Sequence, residues 1–432
     1  MSLPHGWAET TLGEIAELGG EKADPAVLGN LAFIGLEHVE PHTGQLLGQG
    51  DATNVRSTVV RFEPNDVLFG RLRPYLNKVW LADAPGCASA EMIVVRPRER
   101  VAPRFVQKLM MTAEFLDFTA ALDRGDRPRV NADQIGTYCL LLPPLAEQRR
   151  IVAKLDALTV RLARAKAEAA SVRDLAARVR QTSLQQAFSS EQLSSWPSVA
   201  LENVIADGLI GLVRSKAEQG QAGVPYLRMG HYDLEGRLND RDLSFVSCTR
   251  SEIKKFEVRA DDVLFNTRNS VELVGKVAIW PADKPGWVYN NNILRLRFHP
   301  SVLPRFAFRY MMSPTFRQMM SEVKSATTSV AAIYQRSLYA TPFPVPPITV
   351  QEAILHQLNT AFTRADRLEA EANKALALID RLETAILAKA FRGELVPQDP
   401  NDEPASVLLE RIRARRAADP TAKRGRRPKL AS

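Results

Sequence analysis

Pro143-Pro144-Leu145-Ala146-Glu147-Gln148, followed by Ile151 and Leu155, returns as Pro346-Pro347-Ile348-Thr349-Val350-Gln351, followed by Ile354 and Leu358. The separation is 203 residues. It holds without a gap to Glu191 against Glu394, with about a third of the positions identical. An ungapped repeat of this length marks a duplicated structural unit and sets the frame for everything on either side of it.

Each Pro-Pro opens a segment with one strong periodicity. Ile151, Leu155, Leu158, Leu162, Ala165, Ala169, Val172, Ala176 and Val179 step by alternating four and three, as do Ile354, Leu358, Ala361, Ala365, Leu368, Ala372, Ala375, Ile379, Leu382 and Ile386. That is the a/d stripe of a coiled-coil seam, with alanines at mid-length permitting close backbone approach. Two helices of about 45 residues, roughly 65–70 Å each, are expected, paired antiparallel. Proline disfavours helix in the residue before it, so each Pro-Pro sets a sharp entry.

The repeat extends into the regions before each helix, with a drifting offset. Trp7 and Leu12 match Trp196 and Leu201 at 189; Asp66–Phe69 matches Asp262–Phe265 at 196; Pro103-Arg104-Phe105 matches Pro304-Arg305-Phe306 at 201. Framework anchors are kept while the connections change length, and connections are where function varies. These halves read as mixed α/β. Short apolar runs broken by Gly, Pro and Asn predict strands at Val59–Phe62, Val67–Phe69, Lys78–Leu81 and Met92–Val95. In the second copy they predict Val263–Phe265, Lys276–Trp280 and Ile293–Phe298. Proline-initiated helices are expected over Pro103–Leu122 and Pro304–Val323. The predicted organisation is a head over 1–143, a spacer helix over 144–191, a second head over 192–346, a second spacer helix over 347–398, and a basic, partly disordered tail over 399–432.

The net charge of +8 misleads as a global figure. Residues 411–432 hold nine Lys/Arg against one Asp, which accounts for all of it. Residues 1–66 carry three Lys/Arg against ten Asp/Glu, whereas 67–130 carry eleven against seven. Basic charge is therefore regional, as on a binding face. Three isolated cysteines, Cys87, Cys139 and Cys248, suit a reducing cytoplasm and argue against a disulfide framework or zinc cluster. No apolar run is long enough to span a membrane, and Met1–Trp7 has no signal-peptide pattern.

Catalytic signatures are missing. There is no Gly-x-x-x-x-Gly-Lys-Ser/Thr phosphate loop, no Gly-x-Gly-x-x-Gly fingerprint and no Asn/Asp-Pro-Pro-aromatic segment. His38 and His42 are four apart, but Pro41 between them prevents a shared helix face, and structural or surface roles are expected for both.

The chain resembles the specificity subunits of type I restriction–modification systems. The resemblance rests on Trp-x4-Leu at the start of each head, Asp-Val-Leu-Phe at 66–69 and 262–265, Leu142–Asp156, and Lys389–Pro397, and it covers about residues 5–415. One departure is Val350, where the first copy has Glu147. The resemblance implies two α/β target recognition domains joined by two long antiparallel coiled-coil helices. Each domain would read one half of a split sequence in double-stranded DNA, with the helices setting the gap. The subunit would be non-catalytic and cytoplasmic. It would dock two methyltransferase subunits using S-adenosylmethionine, and through them restriction subunits using ATP and magnesium. The competing reading is a scaffold with two protein-binding heads on a coiled-coil rod.

Reading base edges takes Arg, Lys, Asn or Gln on loops, with further basic groups on phosphates. Arg71, Arg73, Tyr75, Asn77 and Lys78 fill a Gly/Pro-bounded loop between two predicted strands. The counterpart holds Asn266, Arg268 and Asn269 and runs to Lys276. A second pair of segments precedes the Pro-Pro motifs: Arg124, Arg127 and Arg129 in the first head, and Ser325–Ser329 followed by Arg336 in the second. Weaker candidates are Tyr226-Leu227-Arg228 and Asn290–Asn292. Arg149, Arg150, Arg161 and Arg164 on the helix exterior are candidates for partner docking or phosphate contact, and the tail around Lys423–Lys429 for sequence-independent attraction to DNA.

Overall fold

The structure, a computed structural model, describes residues 3–122, 125–239, 241–326 and 330–418. The chain folds into two compact units, one made of residues up to 168 with those from 375 onward, the other of residues 169–374. Each is mixed α/β, as the sequence predicts.

In the first unit a four-stranded sheet has the order Ala16–Gly19, Met92–Pro97, Val67–Gly70, Val79–Leu81, all antiparallel. The second unit repeats that order with Ile205–Ile210, Ile293–Phe298, Val263–Asn266 and Val277–Ile279. A second sheet flanks each, and in both it contains one parallel pair: Ala32–Ile34 with Gly86–Ser89, and Val224–Leu227 with Val288–Tyr289. The duplication inferred from offsets is thus a duplication of topology.

The long helices run over Leu145–Ala187 and Ile348–Phe391. Within the first unit Lys166 pairs with Asp380 at 2.9 Å and Glu383 at 2.7 Å. Within the second, Arg180 pairs with Asp366 at 2.5 Å and Glu369 at 2.7 Å. In each unit a segment of one long helix is therefore tied to a segment of the other. The stripe is largely covered: Ile151, Leu155, Ala169, Ala176, Ile354, Leu358, Ala365 and Ala372 are buried. Leu368 and Leu382 depart from the expected seam, being 41% and 45% exposed. A heptad position contributes to a seam only where a facing segment reaches it.

Three further differences from the sequence reading have local causes. The helix expected over Pro103–Leu122 is two helices, Pro103–Leu109 and Ala113–Leu122; that over Pro304–Val323 is Pro304–Met311 and Pro314–Val323. Side-chain oxygens interrupt the ladder: the Thr112 hydroxyl accepts from the Phe115 amide at 3.3 Å and the Ser313 hydroxyl from the Phe316 amide at 3.2 Å. The region expected to be a basic, partly disordered tail holds a helix over Ala405–Ala418, whose Leu408, Leu409 and Ile412 enter the first unit's core. Residues 419–432, including Lys423–Lys429, lie outside the described residues.

The Pro-Pro-x-x-x-Gln motif now has a physical explanation. Gln148 is fully buried; its Oε1 accepts from the Ala102 amide at 2.9 Å and its Nε2 donates to the Pro143 carbonyl at 2.9 Å. Gln351 repeats this, accepting from Leu303 at 2.8 Å and donating to Pro346 at 2.9 Å and Ser301 at 2.8 Å. Ala102 and Leu303 are the residues entering the short proline-initiated helices, and neither has a side chain able to cap. One glutamine therefore stitches the long helix's first turn to the adjacent short helix in each unit.

Glu147 beside it is 1% exposed and accepts from Trp7 Nε1 at 2.9 Å, while its Oε1 has no partner. In the second unit Val350 at that position and Trp196 pack apolarly against the core, so the departure from the motif replaces a polar contact by a greasy one. Burial raises the Glu147 pKa above its usual 4.5. A raised folded-state pKa means a contribution fully present below pH 4.5 and lost as pH rises through the folded value. Glu147→Gln keeps an acceptor for Trp7 and removes the charge. It is expected to stabilise by up to about 1 kcal/mol at pH 7 and to flatten the stability profile above pH 4.5. Thermal melts from pH 4 to 7 check this; superimposable profiles for variant and parent would refute it.

Candidate nucleic-acid interface

In the first unit the two candidate loops, separate in sequence, are sewn together. The Arg71 amide donates to Glu91 O at 2.9 Å, the Val130 amide to Arg71 O at 3.0 Å, and the Arg73 amide to Pro128 O at 2.8 Å. In the second unit the Thr267 amide donates to Asn292 O at 2.9 Å and the Ile333 amide to Thr267 O at 2.9 Å, while Arg268–Asn269 pairs with Ala331–Ala332. These are the same bonds, displaced by the anchor offsets. The backbone platform is repeated and the side chains it presents are not. Leu72 corresponds to Arg268 and Arg73 to Asn269. The first unit thus presents Arg73 where the second presents Asn269, and Leu72 where the second presents Arg268.

The loop tip in the first unit is held by unusual backbone. Arg73 and Asn77 sit in the left-handed region, at φ 52° and 42°, on either side of a 3-10 turn over Pro74–Leu76. A non-glycine residue there is held by its surroundings. The turn projects Tyr75, 50% exposed, with Arg73 also exposed.

The candidates divide by burial. Arg73, Tyr75, Arg127, Arg129, Arg268 and Arg336 are exposed; Arg71 and Asn269 are partly covered. Arg129 pairs with Glu91 at 2.6 Å, and Arg71 Nε donates to Val130 O at 3.2 Å. Asn77, Asn266 and Lys276 are buried, which removes them from any surface. Asn77 Nδ2 donates to Met110 O at 3.3 Å. Asn266 donates to Asn292 O at 3.0 Å and accepts from Asn269 at 2.9 Å, forming the floor under Arg268. Lys276 Nζ donates to Met229 O at 2.7 Å and Tyr232 O at 2.8 Å, and Lys78 Nζ donates to Leu36 O at 2.6 Å. Arg124 lies outside the described residues.

The two lysines expose a motif that periodicity missed. Leu36–His38 and Met229–His231 are 3-10 turns in which the histidine Nδ1 accepts from the Gly35 amide at 2.9 Å and the Arg228 amide at 3.1 Å. In both units a lysine then seals a carbonyl of that turn. The signal was present as His38 and His231, 193 residues apart, but a single shared residue inside otherwise different loops carries little weight. Of the weaker candidates, Tyr226 is buried with its hydroxyl on Leu212 O, whereas Asn291 is exposed and Arg228 Nη2 donates to Asp242 O. Among helix-exterior residues, Arg150 is engaged by Asp402 at 2.5 Å. Among the described residues no helix is long and apolar enough to cross a membrane.

Residues 212–378 match the family described as the type I restriction modification DNA specificity domain. The chain is 27% identical over 348 residues to the type I restriction enzyme EcoKI specificity subunit of Escherichia coli K12, spanning 75% of this chain and 74% of the relative. It is 26% identical, with the same two shares, to the StySPI specificity subunit of Salmonella potsdam. Residues 212–378 carry the DNA specificity domain of type I restriction–modification systems, and the chain is similar to their specificity subunits over three quarters of its length. Solved structures agree in fold. The HsdS subunit of Thermoanaerobacter tengcongensis matches 91% of this chain and 99% of its own, with a TM-score of 0.57 at 24% identity. A chain from a study of type I system assembly and conformational transition matches 91% and 100%, with a TM-score of 0.77 at 23% identity. The matched domain family is one of DNA specificity.

Proposed function

We propose that each unit reads one half of a bipartite double-stranded DNA target through its sewn loop pair. Arg71, Arg73, Tyr75, Arg127 and Arg129 serve the first half-site; Arg268, Asn269 and Arg336 serve the second. The observation that carries this is the repeated backbone platform bearing different side chains, which is what two readers of unlike sequences require. Asn77, Asn266, Lys78 and Lys276 act beneath the loops, as fixed supports. The long helices set the gap between half-sites and dock methyltransferase subunits. Arg161 and Arg164 recur as Arg364 and Arg367. All four are exposed and free of hydrogen bonds and ion pairs among the described residues, which suits a docking face used twice. Catalysis belongs to the partners: S-adenosylmethionine to the methyltransferase subunits, ATP with magnesium to the restriction subunits, and no cofactor to this chain.

Replacing Arg268 and its loop neighbours is expected to change the preferred sequence of one half-site and leave the other intact. Arg268→Ala alone should cost about 1–3 kcal/mol of base discrimination there. Binding-site selection with the subunit and its methyltransferase reads this out. A change in both half-sites, or in neither, would sink the two-reader assignment, and equal binding of random duplex would return the chain to a scaffold.

A further inference from the structure

The second unit contains a cavity of about 560 Å³ walled by Leu184, Phe308, Met312 and Phe362, with Arg309 and Arg317 in its lining. Most of its other charges are spent internally, Glu235 excepted. Arg180 is held by Asp366 and Glu369, Arg237 by Glu369 at 2.7 Å, and Arg317 donates to the Leu234 carbonyl. Arg309 differs. Its guanidinium lies 4.0 Å from the Phe362 ring centre and 5.3 Å from that of Phe308, yet it makes no hydrogen bond or ion pair among the described residues. Burial pushes its pKa down to about 10. The guanidinium is half-buried, stacked on two rings, and its five N–H donors are open to an acceptor entering the cavity.

The first unit serves as an internal control. By the repeat offsets Arg309 corresponds to Lys108, Arg305 to Arg104 and Asn359 to Asp156. Asp156 lies 2.7 Å from Arg104 and 3.7 Å from Lys108, neutralising both. The second copy kept the cations and has a neutral amide in place of the carboxylate. Arg305 turns to Asp261 at 3.2 Å, and Arg309 keeps only the longer-range attraction of Asp366, which is itself paired with Arg180. Two aromatic rings also stand where the first copy has polar side chains, Phe308 for Gln107 and Phe362 for Thr159. The two added rings line the same cavity as Arg309, and its volume suits a small molecule.

The geometry points to a binding site for an organic anion in the second unit: a carboxylate, phosphate or sulfonate group on Arg309, with an apolar body against Phe308, Met312 and Leu184. This site is independent of the DNA-reading loops and of the docking face. The anion takes the place that Asp156 fills in the first unit, through charge-assisted hydrogen bonds to the guanidinium.

The test titrates the full chain with 8-anilinonaphthalene-1-sulfonate, an aromatic sulfonate whose fluorescence rises in an apolar site. Saturable binding is expected, weakened at least about tenfold by Arg309→Gln, the loss of a charged hydrogen-bond donor. Asn359→Asp, at an exposed position, restores the first copy's internal carboxylate and should abolish binding with the melting temperature kept. Lys108→Gln in the first unit should leave binding unchanged. Displacement by inorganic phosphate in preference to benzoate identifies a phosphate ligand; the reverse identifies a carboxylate. Unsaturable binding, or binding equally tight in Arg309→Gln and Asn359→Asp, overturns the assignment.

Discussion

Removing seven residues from each long helix, within the stretches between Lys166 and Arg180 and between Glu369 and Glu383, is expected to shorten the gap between half-sites by about three base pairs. Seven helical residues span roughly 10 Å at 1.5 Å each, and base pairs rise about 3.4 Å. A whole heptad keeps the apolar stripe in phase, so Ile151 and Leu155 at one end and Ile354 and Leu358 at the other keep their burial. The paired change also keeps the ion pairs between the helices, because both helices lose the same length. Removing seven residues from one helix alone mismatches those pairs and should weaken specific binding without setting a new gap. Site selection from a library of variable spacers measures the outcome. If the preferred gap stays the same after the paired deletion, the helices do not set it.

Gln148→Leu is expected to cost about 2–5 kcal/mol of stability. Leucine fills nearly the same volume, so the loss isolates the hydrogen bonds. It leaves the Ala102 amide and the Pro143 carbonyl without their partner in a place where Gln148 was fully buried, and each orphaned group costs about 1–3 kcal/mol. Gln351→Leu should cost as much or more, because it strands three groups, on Leu303, Pro346 and Ser301. Hydrogen exchange resolved along the chain should place the first defect in the unit containing Pro103–Leu109 and the second in that containing Pro304–Met311. A loss below about 0.5 kcal/mol in both variants would mean that the motif's glutamine does not stitch the helices.

The repeat, the mixed α/β class and the two long helices were legible in the sequence because they depend on periodicity and spacing, which are local and additive along a chain. The offsets of 189, 196, 201 and 203 are themselves a map of where connections changed length. The candidate loops were also legible, as basic stretches bounded by Gly and Pro. What composition could not reveal was burial within them. Asn77, Asn266 and Lys276 have the same residue types as surface readers, yet all three are consumed by carbonyls of distant segments. The distance from Lys276 to Met229 in sequence is 47 residues, and nothing local to either announces the contact.

The same division holds for the duplicated motif. Sequence alone determined that Gln148 and Gln351 are equivalent, that the chain is one module written twice, and that its loops diverged while its framework did not. Tertiary structure decided what the glutamines do, that the region after 399 contributes a core helix, and that the two loop candidates of each unit form one platform. It also decided that Arg309 stands in a cavity against Phe308 and Phe362. The physical reason is common to all of these. Side-chain pairing and desolvation are set by which segments meet in space, and a periodic pattern fixes the face of an element without naming its neighbour.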